Sequence, residues 1–457
     1  MKRNQLKFLL EWLGKENRKP LIIRGARQVG KSTLVRLFAA EQHLPLLEVN
    51  LERFPELASA FSAMDPRKLI NQLEALPQMD SIVPSSLLFL DELQAIPEAI
   101  PALRYLHEEI KKIPIISAGS LLEFALRDHN FSMPVGRVQY LHMGPMTFCE
   151  FLEALEEYKL RKEIDTYEVG KEINAIAHKR LSELLRNYLF VGGMPEAVEI
   201  FAKTRKFTEV KEVHSSIIDT YREDFPKYCG SRNLSRIVHI FNFAAKNVGT
   251  KVKYAHFSRE EQSSTIKTDI ELLSMARVIS KVTHSHCSGL PLQADVEEKI
   301  YKLLFLDIGL MNAVCGLKWD SLSHFDNLRL INEGAIAEQF IGQHLQYLIF
   351  PDVNRELNYW IRERKTSNAE VDFVVSFHGK IIPIEVKSGK GGSLRSLHQF
   401  MGEKKAPLAV RFYANSPAKE RIETTIQKEK KNINVNYDLI SLPLYLVEKL
   451  PDIVADK

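Results

Sequence analysis

The chain is short of most features that narrow a function early. Only four of its 457 residues are cysteine, Cys149, Cys229, Cys287 and Cys315, and no two form a C-x-x-C pair. They read as reduced thiols of a cytosolic protein rather than a disulfide frame. No uncharged apolar run approaches the roughly 18 residues of a membrane span. The start, Met1-Lys2-Arg3-Asn4-Gln5, leads into an amphipathic helix broken by Lys7, Glu11 and Lys15. It lacks the apolar core and small-residue cleavage site of a secretory signal. Internal repeats and low-complexity tracts are missing too. The net charge is only +4, with pI near 8.6, a mildly basic balance that permits a nucleic-acid partner without demanding one. What remains is ordinary soluble composition, 45% hydrophobic and 26% charged, in a length that suggests roughly three domains.

The strongest positive signal is Gly25-Ala26-Arg27-Gln28-Val29-Gly30-Lys31-Ser32, which fits G-x-x-x-x-G-K-[ST] without mismatch. The apolar run Leu21-Ile22-Ile23 before it reads as a buried strand, and Thr33 to Ala40 after it has helical periodicity. In that context the loop turns its N–H groups around phosphate oxygens and the helix N-terminus adds positive potential. Gly25 to Thr33 would bind ATP, Lys31 would reach the β- and γ-phosphates, and Ser32 would ligate Mg²⁺. The run 86–90 ends in Asp91-Glu92. A buried strand there would deliver Asp91 beside the P-loop to hold Mg²⁺ through water, and Glu92 to polarise the attacking water. The next strand, 113–119, ends at Ser120, which would sense the γ-phosphate or cap a helix over Leu121–Arg127. Arg137 is a candidate for stabilising charge on the phosphoryl group, in cis or from a neighbouring subunit.

These segments, with Gly136-Arg137-Val138, Gly144-Pro145-Met146-Thr147-Phe148 and Val191-Gly192-Gly193-Met194-Pro195, resemble a large prokaryotic family of AAA+-type ATPases carrying a C-terminal domain of unknown function, DUF4143. The resemblance runs nearly end to end. It implies an α/β fold whose first part is a parallel αβα P-loop sheet, as the strand–helix alternation independently suggests.

Residues 148–228 read as mostly helical, with Gly192-Gly193-Met194-Pro195 either a pivot or a static turn. A helix over Ser231–Ala245, a second over Thr265–Ala276 and a strand over Arg277–Val282 follow the order of a winged helix-turn-helix, and the resemblance implies the same. Lys267 would face a DNA groove, against Asp269 and Glu271 on the same helix; such folds also serve as plain interaction modules. His284-Ser285-His286-Cys287 lacks a second ligand cluster at zinc-site spacing and reads as a polar loop.

In the last third, strand Asp372 and Glu385-Val386-Lys387 on the adjacent strand form a D…E-x-K arrangement, with Glu338 on a preceding helix. Glu385 and Lys387 share a face because the strand period is two. Clustered carboxylates suit Mg²⁺, so Asp372 and Glu385 are candidate ligands and Glu338 and Lys387 candidate partners in phosphodiester chemistry. This resembles the PD-(D/E)xK nuclease superfamily, with Val371-Asp372 in place of Pro-Asp. Ala418–Lys431 reads as a charged helix or loop. The expected organisation is an ATPase domain at 1–145, a helical lid at 146–228, a winged-helix-like domain at 229–300 and a restriction-endonuclease-like domain at 301–457. Together these describe a cytoplasmic ATPase, a candidate homo-oligomer in which Arg137 could act between subunits, controlling a C-terminal domain that cuts or binds DNA. The alternative is an ATP-dependent switch that binds DNA or a protein partner without cleavage.

Overall fold

Three short apolar runs of the first 120 residues, at 21–24, 87–91 and 115–119, become strands buried on both faces, the condition under which a parallel sheet reads as continuous hydrophobic sequence. The computed structural model describes the chain apart from residues 78, 121, 123–135, 230–232, 254–256, 258–261, 318–332, 349–355, 363–367, 390–392, 429–430 and 456–457. Strands β1 (Leu21–Arg24), β2 (Leu46–Asn50), β3 (Leu87–Asp91), β4 (Ile115–Gly119) and β5 (Gln139–His142) form one sheet in the order β2-β3-β4-β1-β5. Every pairing in it is parallel. Arg24 lies opposite Gly119 and Asn50 opposite Asp91, so the carboxyl ends of β1, β3 and β4 share one edge. Ligands of open α/β sheets bind at that edge. One face of the sheet packs Val49, Leu88 and Leu90 against Phe61, Leu69, Leu73 and Leu103. This unit is built mainly on Met1–Met146; the second begins at Thr147.

The second unit opens with a helix over Phe148–Ala154, set by a capping box between Thr147 and Glu150. Long helices follow over Ala175–Val191, Pro195–Thr204, Phe207–Cys229, Leu234–Lys246 and Ser263–Met275. The break at Gly192-Gly193 is a pinned turn. Gly192 has φ 71°, and a Cβ there would stand 2.1 Å from Asp307 Oδ1. The Gly193 N–H donates to Asp307 Oδ2 at 2.6 Å, and the same carboxylate caps the helix Ile308–Val314.

The second sheet is mixed. Its described strands are β6 (Ile279–Ser285), β7 (Val296–Phe305), β8 (Leu357–Arg362), β9 (Ala369–Phe377), β10 (Lys380–Val386), β11 (Leu408–Tyr413), β12 (Ala418–Lys428) and β13 (Lys431–Pro443). They run in the order β12-β13-β11-β10-β9-β8-β6-β7. The strand expected as part of a winged-helix segment therefore lies in the C-terminal sheet: β6 pairs antiparallel with β7 and parallel with β8. Pairing with β8 closes a hydrogen-bonding edge that a free hairpin would leave open. On the helix before it, Asp269 is fully buried and ion-paired with Arg236, and Lys267 pairs with Glu271 and Glu298. His284 and Ser285, expected in a loop, are strand residues.

Ala418–Lys428 is likewise a strand rather than a solvated helix or loop. Ile422 and Ile426 pack into the core with Val435 and Tyr437, while the charged residues alternate outward. That alternation is the pattern of a protected edge strand. In the adjoining helix, Arg395–Lys404, His398 meets the Tyr437 hydroxyl and Gln399 accepts from Arg362, so both side chains are engaged within the protein.

Candidate functional site

The loop after β1 folds as phosphate chemistry requires. Gln28 and Gly30 have φ of 61° and 90°, and Gly30 precedes the helix Lys31–Glu41. A Cβ on Gly25 would stand 2.2 Å from the Met143 carbonyl oxygen, so only glycine fits beside β5. The Lys31 ammonium is almost buried and donates to the Gly25 and Ala26 carbonyls at 3.1 and 2.8 Å. Ser32 Oγ donates to Asp91 Oδ2 at 2.7 Å. Burial raises the Asp91 carboxyl above its ordinary range, opposed by that hydrogen bond. A hydroxyl and a carboxylate oxygen in contact at the end of a phosphate loop fit the two protein ligands of a nucleotide-bound Mg²⁺.

The neighbouring groups divide by edge. Glu92 leaves β3 in a left-handed conformation, φ 53°, and accepts from Gln94 Nε2 at 2.5 Å. Ser120 follows β4, which lies between β1 and β3; its buried Oγ has no hydrogen-bond partner among the described residues. Both therefore stand at the edge that carries the P-loop and Asp91. The helix expected over Leu121–Arg127 lies, but for Leu122, outside the described residues. Arg137 is not brought to this edge. It precedes β5, whose first residue Gln139 pairs with Leu21 at the start of β1, and it bonds Glu108 at 2.8 Å across the opposite edge. A role for Arg137 at its own chain's nucleotide has no geometric support.

Arg3 is a site residue that the sequence offered no signal for. Buried near the N-terminus, it donates to the Val29 carbonyl and the Gly144 carbonyl, both at 2.8 Å. It thus ties the P-loop to the segment leaving β5.

In the second unit, Glu338, Asp372, Glu385 and Lys387 converge, with two further members. Lys302 on β7 is 1% exposed; its ammonium lies 2.7 Å from Glu338 Oε1, 2.6 Å from Glu370 Oε1 and 3.6 Å from Asp372 Oδ1. Burial opposes its charge, and the carboxylates of Glu338, Asp372 and Glu370 outweigh that cost, holding it above the usual lysine range. Lys387 bonds Glu385 Oε1 at 2.5 Å, and the Val386 N–H donates to Asp372 Oδ2 at 2.8 Å. Gly249, φ 73°, lets the chain pass Glu338: a Cβ there would meet Glu338 Oε2 at 2.5 Å. Burial pushes Glu338 up to about 8, with Lys302 pulling it back, and burial followed by the Asp372 charge pushes Glu385 up to about 7.

For a divalent ion this leaves a reduced donor set. Lys302 engages Glu338 and Glu370 closely and Asp372 at 3.6 Å, whereas Glu385 Oε2 is buried with no hydrogen-bond partner among the described residues. Asp372 and Glu385 fit one hard cation; Glu338 is withdrawn from it.

Comparison with known proteins matches three stretches of the chain. Residues 17–152 match the AAA domain, residues 182–321 a domain of unknown function, DUF8612, and residues 333–444 a domain of unknown function, DUF4143. No curated protein matches the chain. Among solved structures it is similar to the Thermotoga maritima RuvB Holliday junction branch migration motor, at 14% identity and TM-score 0.28, covering 71% of this chain and 94% of that one. It is also similar to C. elegans PCH-2, at 11% identity and TM-score 0.27, covering 44% and 62%. The chain thus carries a match to the P-loop AAA domain near its N-terminus and a match to DUF4143 in its last third.

Proposed function

We propose that this protein binds ATP with Mg²⁺ and hydrolyses it, and that the nucleotide state controls a C-terminal PD-(D/E)xK-like domain that acts on DNA. The observation that carries the first half is the Ser32–Asp91 contact at the mouth of the P-loop. Lys31 would exchange its loop carbonyls for phosphate oxygens, and Glu92 would polarise the attacking water. Ser120, with its free buried hydroxyl, would read the γ-phosphate. Bound Mg²⁺, held by Ser32 and Asp91, would neutralise charge on the transferring group. Any part played by Arg137 would be in trans, in a homo-oligomer. Glu92→Gln is expected to keep ATP binding and to slow turnover by roughly 10²–10⁴-fold, the usual contribution of a positioned general base. Unchanged turnover would remove Glu92 from that role.

For the second half, the support is the convergence of Asp372, Glu385 and Lys387 around an unpartnered carboxylate oxygen. A divalent ion there would steady a scissile phosphate, and Lys387 would hold the developing charge. Wild type is expected to cut linear, branched or single-stranded DNA with Mg²⁺ or Mn²⁺, and Glu385→Ala and Lys387→Ala to abolish cutting. Cleavage that survives both substitutions comes from elsewhere.

Lys302 favours a second reading. An internal ammonium already lies within 3.6 Å of three of the four carboxylates, as a domain kept for binding would need. ATP would then switch the capture of DNA or a protein partner without cleavage. DNA affinity falling steeply with salt marks phosphate contacts, and a flat response marks a protein partner. A cytoplasmic setting belongs to both readings.

A further inference from the structure

The hairpin of β6 and β7 carries a cluster outside both sites. Between Thr283 and His284 the register slips: Thr283 faces Tyr301, and His284 faces Glu297. Residues 298–300 are taken up in the irregularity, and such bulges re-aim the side chains beside them. His284 and His286, two residues apart, come to one side with ring centroids 4.7 Å apart. Glu297 arrives from the opposite strand, and one ligand atom from each of the three lies within 4.8 Å of the others.

Two features separate this from a chance surface grouping. First, His284 is 3% exposed, its Nδ1 has no hydrogen-bond partner among the described residues, and its ring bonds the Tyr359 backbone carbonyl. A buried ring nitrogen without a partner costs about 1–3 kcal/mol. A ring whose other nitrogen is held by a backbone carbonyl is oriented as metal-ligating histidines are. Second, the support is rigid. The His286 N–H donates to the Asp295 carbonyl at 2.9 Å, Ser285 Oγ to the Leu292 carbonyl at 3.0 Å, and the Cys287 N–H to Ser285 Oγ at 3.1 Å.

We propose that His284, His286 and Glu297 form a binding site for a late first-row divalent metal ion, zinc in the first instance. Two imidazoles and one carboxylate match zinc, whereas Mg²⁺ and Ca²⁺ select all-oxygen sets. Tetrahedral zinc with bonds near 2.1 Å sets its ligand atoms about 3.4 Å apart. The cluster closes to that spacing by movement of His286, which is exposed, and Glu297, which is half-buried. Three protein ligands leave one coordination position open.

The test uses the untagged full chain, stripped of metal and nucleotide and titrated with Zn²⁺ alone by calorimetry, with Co²⁺ as a visible probe. One zinc per chain is expected, retained against excess Mg²⁺, and bound Co²⁺ should show the intense d–d bands of a four-coordinate site. His286→Ala and Glu297→Gln should each weaken zinc binding by more than the roughly 10–100-fold that loss of an outer-shell partner costs. Because both side chains reach solvent, the metal-free circular dichroism and melting temperature of these variants should match wild type, so lost binding would not reflect lost folding. A wild type that takes up no zinc overturns the proposal. So does zinc uptake that neither substitution changes, which would place the metal on other histidines or cysteines.

Discussion

Lys302→Met is expected to destabilise the second unit by about 3–5 kcal/mol, the cost of removing one partner from a buried ion pair. Urea unfolding would show it as a lower midpoint. Methionine keeps the apolar stem and removes only the charge, so a cavity contributes little. The ammonium is 1% exposed and lies within 2.7 Å of two carboxylates that come from a helix and from a different strand. Without it, Glu338 loses its counter-charge while remaining buried, and must either stay ionised without a partner or take up a proton. The double variant Lys302→Met, Glu338→Gln therefore should recover a substantial part of the loss, because the residual charge is gone. A single variant as stable as wild type would show that Lys302 does not hold the cluster together.

The second large effect is expected at Lys31. Lys31→Ala should lower ATP affinity by roughly 10–150-fold, the equivalent of about 1.5–3 kcal/mol for hydrogen bonding between charged groups. In the proposed site two phosphates would share the ammonium, which favours the upper end. The fold should survive, since Lys31 Nζ donates to two carbonyls of its own loop. Calorimetry with a non-hydrolysable ATP analogue, beside a thermal melt, separates the two effects. Unchanged affinity in a folded variant would remove Lys31 from the phosphates.

Much of this was legible along the chain. The P-loop, the β1 strand before it, the helix after it and the Asp91 strand are specified by neighbours in sequence, because backbone conformation and burial periodicity are local. The D…E-x-K set was legible for the same reason: strand alternation predicts Glu385 and Lys387 on one face, and Lys387, one residue past the end of β10, still donates its N–H to the Phe412 carbonyl of β11. Where the reading differed, distant chain mattered. Ala418–Lys428 carries enough charge to suggest solvent, yet β13 supplies its ladder and a core for Ile422 and Ile426. The strand expected in a winged-helix segment found β8 as a neighbour, a pairing that local pattern does not encode.

By itself, then, the sequence determined a phosphate-loop pattern at Gly25–Ser32 and a set of carboxylates and a lysine near its far end. Only the tertiary structure decided which charges are answered. Lys302 lies 36 residues from Glu338, Arg3 lies 26 from Val29, and Glu297 reaches His284 only across a slipped hairpin. Arg137, close in sequence to the nucleotide-site elements, lies at the other edge of the sheet. The energy of a buried charge depends on distance and on exclusion of water, and both are set by packing between segments that sequence periodicity leaves independent.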